Sequence, residues 1–278
     1  MEELIRQKAR ELLEQQKVDC VIGWERASDG LTSRPFFAYT PEETERLIFD
    51  QTCVHSLAKY LLDKRNKNTA IIAKACDTRA INLLLQEKQV KRERVYIIGL
   101  ACQGVKEVSF GQVGDKLQDR CLVCPSHNPV VYDFLVGELA EEAPRTYPDL
   151  AEVEGMSPQE RRAFWKEQFD RCIRCYACRQ ACVGCYCQQC FVEQLDPLWV
   201  GIRVGPQENH MWNTIRAFHL AGRCIECGEC QRVCPVKIPM MLLNRQLLRE
   251  SDQLFGFQPG LSAETVPPFA TFKEKELE

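Results

Sequence analysis

Apolar and polar positions alternate with a helical period through the opening stretch MEELIRQKARELLEQQ, which predicts a charged amphipathic helix. The pattern then changes to continuous apolar runs. VDCVIGW (18–24) reads as a strand, NTAIIAKAC (68–76) as a buried strand, and RVYIIGLAC (94–102) as another. Between the last two, DTRAINLLLQEKQ (77–89) has helical spacing, so the three segments form a strand-helix-strand unit. A crossover this short favours two parallel neighbouring strands. PEETERLIFDQTCVHSLAKYLLD (41–63) reads as one helix with Pro41 near its first turn and Cys53 inside it. Cys76 and Cys102 fall just past the carboxyl ends of their strands, where open parallel sheets place ligand crevices.

The periodicity breaks in ELAEEAPRTYPDLAEVEGMSP (138–158), a polar, Pro-containing stretch that reads as a linker. Ser157 followed by Pro158 then predicts a capped helix that delivers Cys172. FVEQLDPLWVGIRVGP (191–206) reads as loop, QENHMWNTIRAFHLAG (207–222) as a helix ending at Gly222, and IPMMLLNRQLLRES (238–251) as an amphipathic helix. The resulting organisation is an α/β domain over 1–140, a linker over 141–158, a cysteine-rich domain over 159–250, and a C-terminal arm over 251–278 that includes the charged end TFKEKELE.

Composition narrows the class. With 278 residues, 45% hydrophobic and 27% charged, the chain can build two ordinary cores. The net charge of -3 lacks the basic excess of a nucleic-acid binder, so no nucleic-acid partner is expected. No window reaches a membrane-spanning length of apolar residues, and the N-terminus has no signal-like apolar core, so a cytoplasmic protein is expected. Seventeen cysteines in a reducing compartment point to metal or redox chemistry and away from disulfides.

The cysteines fall into two runs, Cys172-x2-Cys175-x2-Cys178-x3-Cys182 and Cys224-x2-Cys227-x2-Cys230-x3-Cys234-Pro235. Both match the bacterial ferredoxin run, the second including its proline, and in two-cluster ferredoxins the fourth cysteine ligates the other cluster. That resemblance implies one 4Fe-4S cluster on Cys172, Cys175, Cys178 and Cys234, and another on Cys224, Cys227, Cys230 and Cys182. A pair of zinc knuckles would use two CxxC pairs per unit and leaves the eight-position match unexplained. Gly228 suits close approach of backbone to a cluster, and Ile173, Ile225, Val233 and Ile238 would shield sulfur from water. A candidate third site, iron-sulfur or zinc, draws on the CxxC pairs Cys121/Cys124 and Cys187/Cys190, with Cys76, Cys102 and Cys185 as competing ligands. Cys20 and Cys53 read as small packing residues. His55, His127, His210 and His219 are isolated, His127 being notable for its place beside CLVCPSHNP, and Trp199, Trp212 and Phe218 read as core aromatics. Arg171, Arg174, Arg179, Arg216, Arg223 and Arg232 surround the runs, either as a solvated charged face or to dock an acidic redox partner and stabilise a reduced cluster.

CDTRAI after one strand, GLAC after the next, CIRCYACRQAC running on into CYC, and HLAGRCIECGECQRVCPVKIP together resemble the iron-sulfur electron-transfer beta subunits of anaerobic oxidoreductases. These include subunits of sulfhydrogenases, anaerobic sulfite reductases, and deazaflavin-linked hydrogenases and formate dehydrogenases. The resemblance covers roughly Thr69 to Leu243. It implies an α/β N-terminal domain with parallel strands followed by a dicluster ferredoxin-like α+β domain. It also implies single-electron relay inside a hetero-oligomer whose other redox subunits are of hydrogenase, formate dehydrogenase, heterodisulfide reductase or reduced-pterin enzyme type. Cys76, Cys102, Cys121, Cys124, Cys185 and Cys187 fall in motifs similar to that group's, while Cys190 goes beyond its CYC. Some relatives bind FAD, but no G-x-G-x-x-G opens a helix here. Two rival readings are a flavin subunit that itself reduces or oxidises a soluble carrier, and a zinc-stapled assembly scaffold. No acid-base pair, nucleophile elbow or phosphate loop indicates substrate chemistry on this chain.

Overall fold

The computed structural model describes residues 1–109, 111–142 and 144–268, which fall into two compact units. Unit 1 comprises Met1–Thr146 with Gly260–Thr265. Its five-stranded sheet has the order β2-β1-β3-β4-β7, where β1 is Cys20–Arg26, β2 Ser33–Ala38, β3 Thr69–Lys74, β4 Val95–Leu100 and β7 Phe134–Val136. β1, β3, β4 and β7 run parallel and β2 is antiparallel, giving the α/β character the apolar runs imply. All six residues of β3 are buried, as strands of a covered parallel sheet are. Helix α1, Glu2–Glu14, buries Ile5, Ala9, Leu12 and Leu13, and α2, Ala75–Gln86, makes the β3-to-β4 crossover. Gly23 lets β1 pack tightly, since a Cβ there would sit 2.5 Å from Leu47 Cδ2 and 2.7 Å from Ile72 Cδ1.

The segment 41–63 is not one helix. It forms two short 3-10 turns, Glu42–Arg46 and Ala58–Lys64, joined by extended and turning backbone. Four competing bonds account for this. The Ile48 N–H donates to Trp24 O (2.9 Å), the Asp50 carboxylate accepts from the Thr52 N–H (2.7 Å), and buried Lys74 Nζ donates to the carbonyls of Cys53 and His55 (2.7 Å each). The backbone is thus bonded to the sheet and to a side chain in place of its own next turn. Cys53 sits in this turn, fully buried, as a packing residue. A small hairpin, β5 (Lys106–Ser109) with β6 (Gln112–Leu117), follows β4 and leads into α3, Asp119–Leu122. Its mostly polar strands carry no apolar alternation, so the hydrophobic pattern does not announce it.

Unit 2 comprises Tyr147–Pro259 and the chain from Val266. It is helical: α4 Ala151–Gly155, α5 Pro158–Asp170, α6 Ala177–Ala181, α7 Pro206–His219, α8 Glu229–Arg232 and α9 Met240–Phe255. Where the resemblance implied an α+β domain, the described residues of this unit hold one isolated bridge, Leu195 with Leu198, and no paired strand element. α5 starts with a capping box, Ser157 Oγ accepting from the Glu160 N–H while Glu160 accepts from the Ser157 N–H. α7 stops at His219, three residues before Gly222, whose φ of 67° turns the chain into the second cysteine run. Phe169, Cys230, Ile238, Met240 and Met241 form the core, with Cys172, Cys178, Cys224 and Cys234 packed around it. In the stretch read as an arm, α9 continues to Phe255 and 260–265 belongs to unit 1, where Asn82 donates to the carbonyls of Gly260 and Leu261 (3.1 Å each). TFKEKELE lies outside the described residues.

Candidate metal centres

The two cysteine loops share one backbone conformation. Arg174 (φ 49°) and Glu226 (φ 59°), then Tyr176 (φ 57°) and Gly228 (φ 67°), occupy the left-handed region at matching positions. These paired reversals curl each loop so that amides point inward, toward sulfur. The Arg174 N–H donates to Cys172 Sγ at 3.4 Å, and the Glu226 N–H does the same to Cys224. Short helices α6 and α8 then start and carry Cys178 and Cys230. Tyr176 has no glycine's freedom at its position, but its ring packs edge-on against Trp212 (centroids 5.1 Å apart) and its hydroxyl accepts from Arg174.

Each loop encloses a void, and the runs exchange their fourth cysteines. Cys172, Cys175, Cys178 and Cys234 line one small cavity, and Cys182, Cys224, Cys227 and Cys230 line another, each of about 20 Å³. Trp212, Ile238 and Met240 wall the first, and Leu220, Ile225 and Met241 the second. Ile225 and Ile238 are buried as expected of shielding residues; Ile173 is 54% exposed and shields nothing. Cys175 is exposed too, whereas Gly228, Glu229 and Cys230 are buried, so the first loop faces solvent and the second the interior.

Without metal, burial favours the neutral form of Cys178, Cys224, Cys227 and Cys230. Burial pushes Cys178 up to about 11 and Cys224 up to about 12, and raises Cys227 well above the ordinary range. Any ligand set here must shed protons as it loads. Among the described residues no three His, Cys, Asp or Glu side chains converge tightly enough for one metal ion. A zinc ion holds sulfur at about 2.3 Å and demands such convergence. A cubane places each thiolate on a separate iron, so the donor set and spacing suit it better.

The basic residues do different jobs. Arg179 pairs with Glu193 (2.7 Å), Arg232 with Glu229 (2.7 Å), and Arg174 donates to the carbonyls of Gly201 and Arg203. Arg216 is 2% exposed, which removes it from any solvated face; its Nη2 donates to Cys178 O at 3.1 Å. Of the three aromatics read as core, Trp212 is buried, but Trp199 and Phe218 are 55% and 64% exposed.

A further thiol group forms at the carboxyl edge of the parallel strands in unit 1. Cys76 begins α2 and lies within electrostatic reach of Cys102 and Cys124, and Cys121 lies within reach of both Cys102 and Cys124. Backbone amides are aimed at these sulfurs, Gly104 N–H at Cys102 (3.4 Å) and Val105 N–H at Cys121 (3.4 Å). Burial raises the thiol pKa of Cys76, Cys102 and Cys124. His127 is bonded twice to Cys102, ring Nδ1 to the carbonyl and backbone O accepting from the amide, both 2.9 Å, and so helps to orient it. Cys187 and Cys190, grouped with Cys121 and Cys124 by spacing, belong to unit 2 with Cys185.

Several residues that hold these sites carry no motif. Asn209 donates to the carbonyls of Phe169 and Cys172, Asn213 lines the first cavity, and Asn244 donates toward Cys230 Sγ (3.6 Å). Asn209, Trp212, Asn213 and Arg216 repeat at helical spacing along α7, and that polar-aromatic stripe was the available signal.

No family model matches the chain. It is similar over 93% of its length, and 91% of the relative's, to the F420-dependent formate dehydrogenase subunit beta of Methanocaldococcus jannaschii, at 25% identity. It also resembles the F420-dependent formate dehydrogenase 1 subunit beta of Methanococcus maripaludis, at 25% identity over 37% of this chain and 26% of that one. The likeness to oxidoreductase beta subunits read from the cysteine motifs is therefore seen along nearly the whole chain. No helix among the described residues is long and apolar enough to cross a membrane.

Proposed function

We propose that the chain is an iron-sulfur electron-transfer subunit of an oxidoreductase complex, working with partner redox subunits that carry the catalysis. The observation that carries this reading is the pair of four-cysteine cavities with exchanged fourth cysteines. A 4Fe-4S cluster, when bound, supplies one-electron exchange without substrate chemistry. Cys172, Cys175, Cys178 and Cys234 would hold one such group, and Cys182, Cys224, Cys227 and Cys230 the other. The loop amides and Asn244 direct N–H groups at sulfur, which favours the thiolate form, while Ile225, Ile238 and Met241 exclude water. The exposed first loop, at Cys175, is the side on which a partner would exchange electrons. Similarity to formate dehydrogenase beta subunits favours a formate- or deazaflavin-linked setting, in the cytoplasm, over the other partners named above.

A third cluster in unit 1 follows from Cys76, Cys102, Cys121 and Cys124, since these four thiols gather at one sheet edge with amides aimed at sulfur. The substitution Cys182→Ser tests the exchanged assignment. It should degrade the cluster held by Cys224, Cys227 and Cys230 and spare the one nearest Cys172, read by electron paramagnetic resonance of the reduced protein. Damage confined to the Cys172 cluster would sink the assignment.

A further inference from the structure

Arg216 is a charged side chain buried against both cysteine groups with no anionic partner to justify it. It is 2% exposed, and among the described residues no carboxylate pairs with it. Nη2 donates to Cys178 O, beside the first cavity, while the side chain lines the second. Nε and Nη1 are buried with no oxygen or nitrogen to bond, and the guanidinium faces the Cys230 thiol. The two carboxylates nearest the second loop are already engaged, Glu226 by Arg245 (2.8 Å) and Glu229 by Arg232 (2.7 Å). Burial opposes the charge, but a guanidinium keeps its proton in a protein. An uncompensated buried cation is costly, so its counter-charge has to come from what the cavities hold.

We propose that Arg216 is a positioning residue that sets the reduction potential of the cluster on Cys182, Cys224, Cys227 and Cys230, its fixed positive charge stabilising the added electron. The inference rests on the cluster reading above. A neighbouring positive charge favours the more negative, reduced state, so its removal should lower the midpoint potential. The Cys178 cluster, which meets Arg216 through a backbone carbonyl, should respond less.

The test compares anaerobically purified wild type, Arg216→Gln and Arg216→Lys by iron content and by potentiometric titration followed with electron paramagnetic resonance. In Arg216→Gln, one cluster should shift to a more negative potential by about tenfold in its reduced-to-oxidised ratio, about 59 mV for one electron. Arg216→Lys, which keeps the charge, should stay near the wild type. Arg216→Gln with full iron and unmoved potentials would overturn the proposal. If Arg216→Gln loses its clusters, Arg216→Lys decides: retention near wild-type potentials supports a need for the charge, and loss in both variants shows a packing role and overturns it. Wild-type protein without iron would instead overturn the cluster reading itself.

Discussion

Arg245 shows how a single buried charge holds a cysteine loop in shape. At 2% exposure it bonds Glu226 (2.8 Å) and Asp149 (2.9 Å), and Glu226 supplies one of the left-handed positions of the second loop. Arg245→Met should destabilise unit 2 by about 3–5 kcal/mol, because Glu226 is left charged and buried. Anaerobic chemical denaturation measures this, and a loss below about 1 kcal/mol would show that the triad is dispensable. Cys53 gives a pH effect of known sign. Burial lifts its thiol from 9.0 to about 11, so between those values the folded chain holds a proton that the unfolded chain has released. Stability must fall as pH rises through that window, by about 2–3 kcal/mol for this group. Cys53→Ala should flatten the fall relative to wild type in denaturation at pH 8 and pH 11; parallel curves would contradict the burial argument. At this scale the grouping of the cysteines around two cavities was legible because their spacing is local. Arg216 stood out only as one of six basic residues near the runs, and neither its burial nor that of Lys74 was legible, since nothing adjacent in sequence says that a basic residue will be buried.

Elements were legible where one physical cause dominated. The runs around Ile71 and Ile97 are apolar throughout, and burial in a parallel sheet is what such runs permit, so β3, α2 and β4 fell where expected. The 41–63 segment was misread because helical periodicity competed with bonds invisible in sequence, from Lys74 and to Trp24. The contact of 260–265 with α2 was equally hidden, since its partners lie 178 and 179 positions apart in sequence. Gly260 tests it: at φ +78°, a Cβ would lie 2.5 Å from Arg79 O. Gly260→Ala should cost at least about 1–2 kcal/mol from the left-handed backbone alone, and more from the clash. Faster proteolysis within 256–268 is the accompanying readout, and an unchanged cleavage rate would show that the segment does not need this packing.

For the whole molecule, the cysteines divide by unit in a way that spacing could not reveal. Of the candidates for a third site, Cys121 and Cys124 lie within unit 1 in electrostatic reach of Cys76 and Cys102, which are distant in sequence and carried at the ends of neighbouring parallel strands. The ferredoxin-like runs needed no such help, because each brings three cysteines to its cavity from a single loop. The account then makes one demand on composition, that the thiol groups carry clusters in both units. Iron and acid-labile sulfide determined on anaerobically purified protein test it most directly. The account predicts about twelve of each per chain, from three four-iron clusters. About eight would remove the unit 1 cluster and leave the two-cluster relay, whereas zinc in place of iron, or fewer than eight irons in protein with every cysteine intact, would contradict the account.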